Sequence, residues 1–222
     1  MTNNFLKNIF SVYRTLNAKG KNMSDIILFG LSANPPANHH IGIVRSLLEV
    51  SSKVIIIPSG TRKQKPSTST TSPKDRKEMV SLAFGQVPNT EIDFYDLDNE
   101  TFTPTWLLDK KYKDKFPDSK IWHAIGGDLV AGGKNGESEI QRIWQKGNEI
   151  WNQLNWIIID HPLLPVNSED LPPNGKIVEI SGFSGRSTDV RNRVAAGQPI
   201  TELVPPEIEK YILKKGLYTC KF

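Results

Sequence analysis

The sequence contains one cysteine, Cys220, and therefore cannot form an internal disulfide bond. A single thiol also excludes the zinc sites that are built from four cysteine ligands. Disulfides form and persist in oxidising compartments, whereas free thiols are kept reduced in the cytoplasm. The cysteine content therefore predicts a cytoplasmic protein.

Long apolar runs and dense charge runs are also missing from the sequence. No stretch approaches the roughly 20 apolar residues that span a bilayer, which argues against a membrane protein. Lys and Arg total 28 against 24 Asp and Glu, a net charge of +4, and the basic residues are scattered along the chain. This mild basic balance favours anionic small molecules as partners, rather than a nucleic-acid polymer or a membrane.

Apolar runs alternate with helical patterns along most of the 222 residues. Short β-branched runs that end in Gly, Pro or Ser are typical of parallel strands, and each is followed by a helix-forming segment. The predicted strands are Ile26–Phe29, Lys53–Ile57, Glu91–Tyr95, Ile121–Ile125, Trp156–Asp160 and Lys176–Ile180. The predicted helices are Ile41–Glu49, Lys74–Phe84, Thr105–Lys113, Glu139–Trp151, Thr188–Ala196 and a final helix that runs from Pro205-Pro206 to Gly216.

This alternation predicts an α/β fold: a single doubly wound, Rossmann-like parallel sheet with a small C-terminal helical cap. We expect residues 25–222 to form one domain, with ligands bound at the carboxyl ends of the strands. Residues 1–24 are expected to form an N-terminal extension. Apolar residues recur there with helical spacing at Phe5, Ile9 and Val12, which predicts a helix.

The stretch Ile26–Leu48 reads IILFGLSANPPANHHIGIVRSLL, a strand that leads through a Gly/Pro/Asn loop into a helix. The first N–H groups of a helix have no partner within it, and the helix dipole adds partial positive charge at this end. This arrangement is suited to phosphate. The histidines His39 and His40 lie where they could contact it. The glycine and prolines could also serve turn geometry alone.

A second candidate phosphate site is GRSTDVRNRVAAG at residues 185–197. Ser187 or Thr188 could cap a helix whose first turn also carries Arg191. Hydroxyl groups, helix N–H groups and a guanidinium fork together suit a polyphosphate. An ordinary helix cap beside a solvated arginine would produce the same pattern.

Taken in order, these and other landmarks resemble the nicotinate/nicotinamide mononucleotide adenylyltransferases of the nucleotidyltransferase α/β superfamily. The resemblance extends from about Asp25 to Tyr218. The landmarks are SANPPANHH, PSGTRKQK, DRKEM, TFTPTWLL, IGGDL, a Trp before a strand that ends in DHP, STDVR and LVPPEIEKYILKKGLY.

The first motif of that family reads His or Thr, any residue, Gly, His. Without gaps, Ala37, Asn38, His39 and His40 occupy these positions, so only the final histidine is kept. A gapped alignment would start the motif at His40 and lose its last histidine. We prefer the ungapped alignment, because it leaves Ile41, Ile43 and Val44 on the buried face of the helix. His39 is then either a further donor beside the site or a solvated loop residue.

The resemblance implies roles for particular residues. His40, Lys65 and Arg191 would be catalytic, stabilising charge on the transferred phosphoryl group. ATP would be bound by Gly30, Leu31, Ser32, His39, His40, Gly126, Asp128, Ser187, Thr188 and Arg191. The acceptor would be bound by Arg76, Thr103, Trp106 and Trp144. Lys65 and Arg76 could equally belong to a solvated basic stretch, and the two tryptophans could be core residues.

The implied reaction transfers AMP from ATP to nicotinate or nicotinamide mononucleotide, giving a pyridine dinucleotide and pyrophosphate in NAD biosynthesis. Mg²⁺ would be bound mainly through the ATP phosphates, without a dedicated metal site in the protein. One alternative is the same transfer to another phosphorylated acceptor. Another is a catalytically weak nucleotide-binding or regulatory homologue, suggested by Ala37 and His39. Assembly into a homo-oligomer is also possible.

Overall fold

The computed structural model describes residues 25–62, 70–160, 165–180 and 185–219. The extension at residues 1–24, with its predicted helix, and Lys65 lie outside these ranges. Six strands form one sheet in which every neighbouring pair is parallel. They are β1 (Asp25–Leu31), β2 (Lys53–Pro58), β3 (Thr90–Ile92), β4 (Lys120–Gly126), β5 (Asn155–Asp160) and β6 (Gly175–Glu179).

The strand order is β3-β2-β1-β4-β5-β6, so the direction of winding reverses between β1 and β4. Connections on the two sides of this point leave the sheet in opposite directions, which opens a crevice at the carboxyl ends of the two strands. The predicted doubly wound, Rossmann-like fold is therefore confirmed. The crevice lies beside Leu31 and Gly126, where these strands end.

Eight α-helices lie within the described residues. They are α1 (Asn38–Glu49), α2 (Pro73–Phe84), α3 (Tyr95–Asp98), α4 (Thr105–Lys115), α5 (Glu139–Ile143), α6 (Gly147–Gln153), α7 (Ser187–Ala195) and α8 (Pro206–Lys215). None of the helices in the described part of the chain is long and apolar enough to cross a membrane.

The predicted single helix at Glu139–Trp151 was wrong, because the structure has two helices there. Trp144 is extended, with φ −76° and ψ 147°, and Lys146 adopts a left-handed conformation with φ 58°. A Cβ added to Gly147 would lie 2.2 Å from the carbonyl oxygen of Ile140. The close approach of α6 to α5 therefore requires glycine here, and the tight turn removes Trp144 from the helix.

The predicted strand Glu91–Tyr95 was also too long. The strand ends at Ile92, and the Asp93 carboxylate accepts a hydrogen bond from the backbone N–H of Tyr95 at 2.9 Å. Aspartate commonly competes with a sheet ladder in this way, because its side chain bonds to the backbone two residues later. This contact directs the chain into the short helix α3.

Both faces of β1 are buried, as expected for a central parallel strand. Ile27 and Phe29 join a core cluster that includes Val44 and Leu47 of α1, both fully buried. Removing an aliphatic side chain of this size from water stabilises the fold by roughly 2 kcal/mol. The apolar stripe of α1 therefore fixes the helix, and its N-terminus, against the sheet.

The C-terminal helix α8 packs against the same core through Ile208 and Ile212, both fully buried. The Tyr211 hydroxyl donates to the carboxylate of Asp75 in α2 at 2.8 Å. Beyond α8, the Tyr218 hydroxyl donates to the side-chain oxygen of Asn34 at 2.6 Å. The helical cap therefore supports the loop that follows β1.

Candidate active site

The loop after β1 is held by its own side chains. Asn34 is 1% exposed, and its amide group donates to the hydroxyl of Thr70 at 2.9 Å while accepting from Tyr218. Ala33 adopts φ 46°, and the Asn34–Pro35 peptide bond is cis. These contacts fix the path of the backbone into α1.

At the start of α1, the backbone N–H of Ala37 donates to Nδ1 of His40 at 3.1 Å. A nitrogen that accepts a hydrogen bond carries no proton, so the proton of the neutral ring is on Nε2. The same contact closes a capping arrangement at the helix N-terminus. His40 is thus both a structural cap through Nδ1 and an N–H donor through Nε2.

The start of α7 contacts the same loop, although the two segments are more than 150 residues apart in sequence. The Ser187 hydroxyl donates to the carbonyl oxygen of Pro35 at 2.9 Å. Arg191 donates through Nη1 to the carbonyl oxygen of Asn34 at 2.6 Å and through Nη2 to the hydroxyl of Thr188 at 3.1 Å. The two predicted phosphate sites are therefore adjacent in space.

The capping role suggested for Ser187 or Thr188 was wrong. The N-cap of α7 is Arg186, whose backbone N–H donates to the carboxylate of Asp189 at 3.2 Å. The Ser187 hydroxyl points instead to the loop after β1. The sequence pattern could not show whether Ser187 is the N-cap or the first residue of the helix, because similar residues follow a serine in both positions.

Glycines line the crevice at the ends of β1 and β4. A Cβ added to Gly30 would meet nothing within 4 Å, so the space beside this position is open. At Gly126 an added Cβ would lie 2.4 Å from a carboxylate oxygen of Asp128, and at Gly127 it would lie 2.3 Å from a methyl group of Val166. Asp128 itself is exposed in the turn that follows β4.

Arg76, predicted to bind the acceptor, is 1% exposed. Its guanidinium donates to the carbonyl oxygen of Ser32 through Nε at 3.2 Å and through Nη2, and to that of Ser59 through Nη2 at 2.6 Å. Burial lowers the pKa of Arg76 from its usual value. These contacts join the chain segments that follow β1 and β2, so Arg76 contributes to the shape of the site.

The predicted acceptor residues Thr103, Trp106 and Trp144 lie on loops and helix ends, and the two tryptophans lie near β4 and β5. Thr103 donates twice to the buried Asp96, through its N–H at 2.9 Å and its hydroxyl at 2.5 Å. The indole N–H of Trp106 donates to Gln145 at 3.5 Å. Trp106 and Trp144 are thereby brought together, since Gln145 follows Trp144 in sequence.

Both tryptophans pack, partly buried, against one core cluster. The Trp144 ring lies 6.3 Å from that of Trp156 in an edge-on arrangement, and its N–H donates to Glu139 at 3.2 Å. Lys146, absent from the sequence predictions, places its ammonium group 4.3 Å from the centre of the Trp106 ring. The only sequence signal for it was its position two residues after Trp144.

Comparisons with known proteins identify related sequences and folds. Residues 28–193 match a family described as cytidylyltransferase-like. A probable nicotinate-nucleotide adenylyltransferase of Thermoanaerobacter is 30% identical over 75% of this chain and 80% of its own length. The nicotinate-nucleotide adenylyltransferase of Bacillus subtilis is 24% identical over 88% of this chain and 99% of its own length.

The fold is also shared with a solved structure. Nicotinic acid mononucleotide adenylyltransferase from Plasmodium falciparum, complexed with NaAD, superposes with a TM-score of 0.70 at 20% identity. The match covers 88% of this chain and 97% of the other. The doubly wound sheet and its surrounding helices are therefore common to both proteins.

Proposed function

Because the chain belongs to the cytidylyltransferase-like family, and within it to the nicotinate-nucleotide adenylyltransferases, we propose that it transfers AMP from ATP to nicotinate mononucleotide. The products are the pyridine dinucleotide and pyrophosphate. The protein is a nucleotidyltransferase of NAD biosynthesis. A cytoplasmic location is supported by its single cysteine.

The observation that carries this proposal is the contact between the two predicted phosphate sites. Ser187 and Arg191 donate to the backbone of the loop that leads into α1, so the N-terminal ends of α1 and α7 border one region. Each helix end adds partial positive charge. A triphosphate placed between them would meet N–H groups from both sides.

The proposed chemistry needs no covalent intermediate. A phosphate oxygen of the acceptor attacks the α-phosphorus of ATP in line, and the bond to pyrophosphate breaks as the new bond forms. The protein therefore positions two anions and stabilises spread negative charge. We assign this stabilisation to the Nε2–H of His40, to the guanidinium of Arg191 and to Lys65, whose role rests on the sequence resemblance.

Arg191 suits this role because it has five N–H donors in a fixed plane. Its hydrogen bonds to Asn34 and Thr188 orient the guanidinium in the loop. Gly126 and Asp128 would meet the adenosine at the crevice between β1 and β4, where nucleotides bind in doubly wound sheets.

We propose that Mg²⁺ is bound mainly by the phosphates of ATP. Among the described residues, no group of three or more His, Cys, Asp or Glu side chains could hold a metal ion. Mg²⁺ usually keeps several water ligands and binds through the phosphates of its substrate, so the proposed binding mode needs no such group. When bound, the ion would neutralise charge on the leaving pyrophosphate.

For the acceptor, the position of Lys146 favours nicotinate over nicotinamide. Its ammonium group lies over Trp106 and beside the turn that carries Trp144, with Glu149 at 3.5 Å. A carboxylate on the pyridine ring would be attracted by this cation, whereas a neutral carboxamide would gain less. We therefore propose that the ring of nicotinate mononucleotide lies beside these two tryptophans.

Pyrophosphate release from ATP and Mg²⁺ would test the proposal, with nicotinate mononucleotide, nicotinamide mononucleotide and phosphopantetheine as separate acceptors. CTP in place of ATP would test cytidylyl transfer. We expect the fastest turnover with ATP and nicotinate mononucleotide. In the variant Lys146→Gln, the preference for nicotinate over nicotinamide mononucleotide should be smaller. ATP binding without turnover on either pyridine mononucleotide would instead identify a regulatory homologue.

A further inference from the structure

His39 lies beside His40 but makes a different contact. Its Nδ1 is 2.5 Å from the carbonyl oxygen of Gly185, just before α7. A carbonyl oxygen can only accept, so Nδ1 of His39 must carry a proton and donate it. In its neutral state His39 is thus protonated on Nδ1, whereas His40 is protonated on Nε2. The two rings are 3.7 Å apart and tilted by 40°.

Further contacts follow the same boundary between the start of α1 and the C-terminal segment. Asn38 donates through its backbone N–H to the carbonyl oxygen of Leu203 and through its side chain to that of Glu202, both at 2.9 Å. Gly185 has φ 76°, and a Cβ added there would lie 2.7 Å from the Leu203 carbonyl oxygen. The chain at Gly185 is therefore pressed against this segment.

Position 39 is where the motif that this chain resembles has glycine, and glycine has no side chain that could reach Gly185. The hydrogen bond from His39 is thus a feature of this particular chain. It adds a link between α1 and the approach to α7, which carries Ser187 and Arg191. The ring of His39 also limits, through its close contact, the orientations open to His40.

We propose that His39 is a positioning residue, whose Nδ1–H holds the start of α7 against α1 and so keeps the two halves of the ATP site in register. This inference rests on the proposed function for the identity of the nucleotide. It replaces the expectation that His39 is itself a phosphate ligand. The acceptor site proposed beside Trp106 and Trp144 should be little affected by changes at this position.

Three substitutions separate this role from direct phosphate binding. In His39→Asn the amide nitrogen can take the place of Nδ1, whereas in His39→Gln it falls closer to the place of Nε2. His39→Gly removes the side chain. We expect Gln and Gly to raise the KM for ATP about fivefold, the usual effect of losing one neutral hydrogen bond. In the Asn variant the KM for ATP should stay close to that of the wild type. The KM for nicotinate mononucleotide should stay nearly constant in all three variants.

Arg45→Gln, an exposed position on the same helix, serves as the control. An equal rise in the KM for ATP in the Asn and Gln variants would overturn the proposal. A KM restored by Gln alone would also overturn it, because Gln places its donor near Nε2, the nitrogen that direct phosphate binding would use. If the protein bound ATP without turnover, the proposed function would fail. The same variants could then be compared by their dissociation constants for ATP, and the positioning role would still be tested.

A second measurement does not depend on activity. Long-range proton–nitrogen NMR correlations distinguish the two neutral tautomers of histidine, and the wild-type protein can be examined without substrates at about pH 8, where most histidines are neutral. We expect an Nδ1–H signal for His39 and an Nε2–H signal for His40. Finding His39 protonated on Nε2 would contradict the contact with Gly185.

Discussion

The clearest prediction concerns His40, because its two nitrogens have separable tasks. Nδ1 accepts a hydrogen bond from the backbone N–H of Ala37 at 3.1 Å, so the ring proton is on Nε2. The Nε2–H can donate a hydrogen bond to a phosphate oxygen. The substitution His40→Ala removes both. Loss of the Nε2–H should lower kcat at least about a hundredfold, or about 2.7 kcal/mol, as for other donors that stabilise developing charge.

Loss of the Nδ1 contact should lower the free energy of unfolding by about 1 kcal/mol, the usual value for a helix N-terminal cap. In a domain of about 200 residues this corresponds to a fall in Tm of roughly 2–4 °C. His40→Asn is the matched comparison. Its side-chain oxygen can accept from Ala37, but its amide cannot reach the place of Nε2.

Steady-state pyrophosphate release and thermal unfolding, measured on both variants, would separate the two tasks. We expect Asn to recover the stability lost in the Ala variant while kcat stays low. Near-normal turnover in His40→Ala would refute this reasoning and favour either His39 or the gapped alignment of the motif. Full recovery of kcat by Asn would show that His40 acts only as a cap.

Three further predictions concern other parts of the molecule. Arg191→Lys should raise the KM for ATP about tenfold in steady-state assays, because an ammonium group cannot hold the loop and a phosphate with the geometry of a guanidinium fork. Arg76→Met should lower the free energy of unfolding by about 3 kcal/mol in urea titrations, since it leaves buried carbonyl groups without their donor. Burial alone would raise the pKa of Asp109, but hydrogen bonds from His123 and Lys113 hold this pKa below its usual value. The resulting stability is present above about pH 4 and lost as pH falls through the lowered pKa, so the difference in Tm between wild type and Asp109→Asn should shrink in acid.

The sequence predicted the sheet well, because β1, β2, β4 and β5 are short apolar runs buried on both faces. The prediction failed where a specific backbone contact overrode the local apolar pattern. The helical pattern across Glu139–Trp151 continues through Lys146, but the fit of Gly147 against the Ile140 carbonyl group imposes a turn. Apolar periodicity carries no information about such backbone contacts.

The site was predictable in outline from its two motifs. The family resemblance implied that the loop after β1 and the start of α7 bind one ATP molecule, which stays a prediction. The donors that join the motifs depend on the fold, since Ser187 and Pro35 meet only after more than 150 residues have packed. Arg76 belonged to a basic stretch in sequence, and its burial against two carbonyl groups had no local signal.

In the proposed reaction, the α-phosphoryl group of ATP passes to nicotinate mononucleotide at the crevice between β1 and β4. The most direct measurement supplies ATP that is labelled at the α-phosphate, together with Mg²⁺ and nicotinate mononucleotide, and separates the products by chromatography. We expect the label in the dinucleotide, in amounts equal to the unlabelled pyrophosphate released. Label that stays in ATP, or that appears only in free AMP, would contradict it.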